Sequence, residues 1–130
     1  MDALKPYAPA VLSLMRVMSG LLVLQHGTGK YLNVPVGPMN NASIQTMSGG
    51  AGVIELICGV LLVIGLYTRP AAFLLSGMTA VAYFYAHAGR NFFPILNGGE
   101  LAALYSFVFL YIASAGGGAF SVDRFIRNKD

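Results

Sequence analysis

Four apolar segments dominate this chain, at about 9–27, 49–66, 70–88 and 99–115, each roughly 17–22 residues long. None shows the period-two alternation of a barrel strand. A helix rising about 1.5 Å per residue crosses a hydrocarbon layer of about 30 Å in that length. Within lipid a segment must satisfy its own backbone hydrogen bonds, which leaves helices as the solution at this spacing. The expected fold class is therefore all-α and integral to a membrane: a four-transmembrane-helix bundle, one domain over residues 1–130. The scarcity of charge agrees. Only 10% of the residues are charged and 56% are hydrophobic, whereas soluble domains carry about 25% charge. Too few polar residues exist to clothe a water-facing surface.

The connections fit the same division. Tyr67-Thr-Arg69-Pro70 reads as a tight hairpin, with Pro70 suited to a first helical turn. Residues 90–99 link the third segment to the fourth, and the longest connection runs from Gly29 to Ser48 with Pro35, Gly37 and Pro38 inside it. Lys5 precedes the first apolar run as it would in a signal peptide. That run carries Arg16 and has no clear small-x-small cleavage site before Gln25-His26, so it reads as a retained span. Four spans put both termini on one side. That side would hold Lys5, Arg69, Arg124, Arg127 and Lys129, against Lys30 and Arg90 on the other. The positive-inside rule then places both termini and the Arg69 turn in the cytoplasm of a multi-pass bacterial inner-membrane protein.

Against this background two charges stand out. Arg16 lies inside Leu12-Ser-Leu-Met-Arg16-Val-Met-Ser-Gly20, and Glu55 inside Gly52-Val-Ile-Glu55-Leu-Ile-Cys58. Such residues cost about 2.5–3.5 kcal/mol each on insertion, and usually face the bundle interior with a partner. Arg16 and Glu55 are therefore expected to form a charge pair. His26 ends the first segment, His87 the third, and Glu100 opens the fourth. With Glu55 they converge on the outer half of the bundle as candidates for ligand binding or proton relay. Gly52, Glu55 and Gly59 share one helical face, as do Arg16, Gly20, Val23 and Gly27, so close helix approach accompanies the polar residues.

Each of these has a plainer structural reading. Arg16 and Glu55 can serve helix register alone, and His26 and His87 can be hydrated interfacial histidines. Cys58, the only cysteine, reads as a small buried apolar residue and excludes an intrachain disulfide. No metal site is expected. Carboxylate-bridged bundles use Glu-x-x-His, and here Glu55 and Glu100 lead to Cys58 and Ala103. No phosphate loop, nucleophile elbow or haem-attachment pair appears. The net charge of +3 is small and scattered, which argues against nucleic acid as a partner.

The ordered set of Arg16, Leu21-Leu-Val-Leu-Gln-His26-Gly27, Lys30, Gly52-Val-Ile-Glu55, Gly65-Leu-Tyr-Thr-Arg69-Pro-Ala-Ala72, His87, Gly98-Gly-Glu100 and Phe120-Ser-Val-Asp123 resembles the DoxX family of small bacterial inner-membrane proteins. The resemblance implies a four-span fold. Some relatives are subunits of a thiosulfate:quinone oxidoreductase, and others belong to oxidative-stress complexes with soluble partners. It also implies Arg16, His26, Glu55, Arg69, His87 and Glu100 as candidate functional residues. No cofactor site is evident in the sequence, although a quinone is compatible, and enzymatic activity is expected only as a membrane subunit of a larger oxidoreductase. Three functions follow. The first is binding of a small apolar or quinone-like ligand, or docking of a redox or stress-response partner, through the outer cluster. The second is a purely structural scaffold. The third is a small transporter or proton-coupled channel, which would call for an oligomer.

Overall fold

A computed structural model describes residues 1–37 and 45–127, which among themselves are helical with no strand. A 3-10 turn at Asp2–Tyr7 leads into α1 (Ala8–Leu32), followed by α2 (Met47–Ile64) and α3 (Thr68–Ala82). A π-helical turn, Tyr83–His87, extends α3. Then come α4 (Pro94–Asn97), α5 (Glu100–Ala115) and α6 (Val122–Arg127). The Thr46 hydroxyl caps α2 by accepting from Gly49 N at 2.9 Å. Gly65, at φ 77°, closes α2, and Leu66 N reaches back to Leu61 O at 2.9 Å.

Glycine sets the α1–α2 packing. A Cβ on Gly27 would stand 2.8 Å from Leu56 N and 3.0 Å from Gly52 O. On Gly59 it would stand 3.0 Å from Leu24 Cβ, and on Gly20 it would stand 3.1 Å from Leu62 Cβ. Only bare backbone lets the two antiparallel helices come this close, the mechanism by which small residues join helices in lipid. The helix therefore runs to Leu32 instead of ending near Gly27. Gly27-Thr-Gly29 reads locally as a breaker, but Gly27 is spent on helix approach. Opposite, α3 packs on α5, where Ser76 Oγ donates to Ser106 O at 2.7 Å. The core between the helices centres on Leu62, Leu75, Phe109 and Ile112.

The distribution of polarity is inverted relative to a soluble domain. Arg16, Lys30, Glu55 and Asp123 are buried, while Leu14, Met18, Ile57, Phe73, Leu74, Leu104 and Phe107 are exposed. Asp2–Leu32 and Met47–Ile64 are long and apolar enough to cross a membrane. The 16 residues of α5 are also apolar but shorter, and α3 reaches comparable length through its π turn. The first described residues and α6 lie at the end where α1 begins, α2 ends, α3 begins and α5 ends. It is called the terminal end below, and the other the distal end.

Candidate functional site

At the terminal end, Arg16 meets backbone rather than a carboxylate. Its Nε donates to Leu62 O at 2.7 Å and its Nη2 to Phe120 O at 2.9 Å, while Nη1 donates to Gly117 O. These carbonyls are free because α2 ends at Ile64 and residues 116–121 are not helical. Ser13 completes the joint, donating to Gly117 O at 2.9 Å and accepting from Phe120 N at 2.9 Å. Asp123 locks it from the other side, since its two carboxylate oxygens accept from Tyr67 N and Thr68 N, each at 2.8 Å. The first N–H groups of a helix have no partner within the helix itself, and these two lie at the start of α3. Asp123 is also the carboxylate that acts through space on the Arg16 charge. Arg69, in the first turn of α3, donates to Ala113 O and Ser114 O at the end of α5. The terminal end is thus a clamp holding the C-terminal segment onto all four long helices.

The expected Arg16–Glu55 pair does not form. Glu55 Oε1 instead accepts from Lys30 Nζ at 2.9 Å, with both side chains about nine-tenths buried. The extension of α1 past Gly29 is what carries Lys30 into reach, one turn beyond His26. Gly52 makes room for the pair: a Cβ there would lie 2.9 Å from Lys30 Cδ and 2.8 Å from Tyr31 Cε2. Tyr31 closes the crossing by donating its hydroxyl to Gly49 O.

On the α3–α5 side the organiser is Asn97, which is fully buried in the short α4. Its amide nitrogen donates to Tyr83 Oη at 3.1 Å and to Asn91 O at 3.0 Å, and its amide oxygen accepts from Gly99 N at 2.8 Å. Its carbonyl lies 3.1 Å from His87 Nδ1. A carbonyl can only accept, so this contact puts a proton on Nδ1, and in the neutral ring Nε2 is then the acceptor. The π turn matters here because its wider winding sets the Tyr83 and His87 rings side by side, 6.5 Å between centroids. Both pack on Gly99, where a Cβ would come within 2.8 Å of each. Glu100, the next residue, is exposed and heads an open apolar groove of about 570 Å³ lined by Pro94, Leu101, Ala103, Leu104 and Phe107.

The distal polar residues thus form two groups. His26, Lys30 and Glu55 belong to α1 and α2, whereas His87, Asn97 and Glu100 belong to α3, α4 and α5. No hydrogen bond or ion pair among the described residues joins the groups. Nor do the described residues contain a set of three or more His, Cys, Asp or Glu placed to hold a metal. Sequence reasoning overlooked Asn97 and took Lys30 for a flanking charge and Asp123 for a terminal motif residue. The Gly98-Gly99 pair and the spacing of Lys30 four residues after His26 were the available signals.

Residues 11–88 match the DoxX family model, a stretch within which Arg16, Lys30 and Glu55 lie. The chain belongs to the DoxX family. It is also 44% identical over 129 residues to an "Uncharacterized protein" of Haemophilus influenzae, a match covering 95% of this chain and 96% of that one. No solved structure matches it. Family membership and the apolar helices make this DoxX protein a membrane protein.

Proposed function

We propose that this DoxX protein crosses the bacterial inner membrane four times with both termini cytoplasmic, and binds a small apolar, quinone-like ligand at its distal end. The observation that carries the reading is the α5 groove, apolar along Leu101, Leu104 and Phe107, with Glu100 at its head. Glu100 follows the Gly99 on which His87 and Tyr83 pack. A ring-bearing ligand would lie along the apolar wall with its polar head toward Glu100 and the His87–Tyr83 pair. There the His87 Nε2 lone pair and the Tyr83 hydroxyl proton offer one acceptor and one donor. In this arrangement Lys30 neutralises Glu55 and holds α1 to α2, so Glu55 supports the site without touching the ligand. Arg16 belongs to the terminal clamp.

A short-chain ubiquinone analogue, titrated against the purified full chain in detergent, tests the reading. Glu100→Gln and His87→Phe should each weaken binding about tenfold, which corresponds to the loss of one hydrogen bond to a charged or oriented group. Unchanged affinity in both variants would remove the ligand reading. Docking of a redox or stress-response partner at the same end is the second reading, favoured by the exposed Phe92, Phe93, Ile95 and Leu96 around α4.

A further inference from the structure

The C-terminal segment holds a second cleft at the opposite end of the molecule. It has a volume of about 450 Å³ and is lined by Ala119, Phe120, Ser121, Arg124 and Phe125. Its aromatic walls face outward, with Phe125 90% and Phe120 68% exposed. Among the described side chains, the other cations at this end are engaged: Lys5 with Asp2 at 2.9 Å, Arg69 with the carbonyls of Ala113 and Ser114, and Arg16 with those of Leu62, Gly117 and Phe120. The Arg124 guanidinium has no hydrogen bond or ion pair among the described residues, and only its backbone N–H is used, donating to Ser121 Oγ at 3.1 Å. The cleft is also rigidly mounted. Asp123 fastens the start of α6 to Tyr67 and Thr68, and Asp123 N donates to Gly65 O at 2.9 Å.

We propose that this cleft binds the headgroup of an anionic phospholipid, with Arg124 on the phosphate and Phe120 and Phe125 against the glycerol and upper acyl region. A solvated guanidinium flanked by exposed phenylalanines is the pattern of an interfacial anchor, the rings entering the lipid boundary while the cation stays at headgroup level. An acidic protein would match the charge but leave two phenylalanine rings facing water. The lipid surface satisfies both. The site depends on the terminal end lying at a bilayer surface, and it is independent of any ligand bound at the distal end.

Native mass spectrometry of the full chain, released from detergent after incubation with an equimolar mixture of phosphatidylglycerol and phosphatidylcholine, provides the test. The wild-type chain should retain phosphatidylglycerol about fivefold over phosphatidylcholine, the preference expected from one basic residue at a charged surface. R124Q should abolish the preference and R124K should keep most of it. Equal retention of the two lipids by the wild-type chain overturns the proposal, as does an unaltered preference in R124Q. Displacement of phosphatidylglycerol by millimolar inorganic phosphate would show a free-anion site and overturn the lipid assignment.

Discussion

Removing either member of the Lys30–Glu55 pair should be far more damaging than removing both. At an N–O distance of 2.9 Å and an effective dielectric of about 20, the gross attraction is about 6 kcal/mol. That gain is opposed by several kcal/mol of desolvation for each ion, so the pair is close to neutral overall relative to apolar residues of similar volume. Lys30→Met alone leaves a buried carboxylate beside Gly52 with no donor, and Glu55→Leu alone leaves a buried ammonium. Each should cost about 3–5 kcal/mol, while the double variant should lie within about 1–2 kcal/mol of the wild type. Steric-trapping measurements in bicelles give the four stabilities of the cycle. Arg16→Leu with Glu55→Leu is the control, because Arg16 bonds to carbonyls at the other end. Those two changes should add within about 0.5 kcal/mol. Independent, additive losses for Lys30 and Glu55 would refute the reasoning.

Three further outcomes follow from the packing. Gly27→Ala should destabilise by about 1–3 kcal/mol because its methyl meets α2 backbone, whereas Gly77→Ala, with open space around it, should be neutral or stabilising in the same unfolding assay. Asp123→Ala should cost about 1.5–3 kcal/mol by uncapping Tyr67 N and Thr68 N, with proteolysis after residue 115 as the readout of a released C-terminal segment. Asn97→Ala should raise amide hydrogen exchange across residues 91–99 and leave the α1–α2 crossing protected, since its partners are Tyr83, His87, Asn91 and Gly99.

The helices themselves were legible from the sequence because long apolar runs with few charges permit few alternatives. Their ends were legible to within a few residues wherever the punctuation was local, as at Gly65 and Pro70. They were not legible at Gly27-Thr-Gly29, where glycine served tertiary packing instead of a turn, and Lys30 was consequently read as a flanking charge. Arg16 was read correctly as buried but given the wrong partner. Its partners are carbonyls, which a side-chain pattern cannot display, and they come from residues 46 to 104 positions away. Asn97 was overlooked because an asparagine before two glycines is an ordinary turn signal; only the packing of α4 under the π turn makes it a hub.

Attaching a photoreactive quinone to the membrane-embedded full chain and mapping the crosslinked peptides tests the proposed function most directly. Labelling confined to residues 83–107, lost in Glu100→Gln and suppressed by excess unlabelled quinone, is the predicted result. Labelling spread over the lipid-facing residues of α1 and α2, indifferent to Glu100 and to competitor, would contradict it.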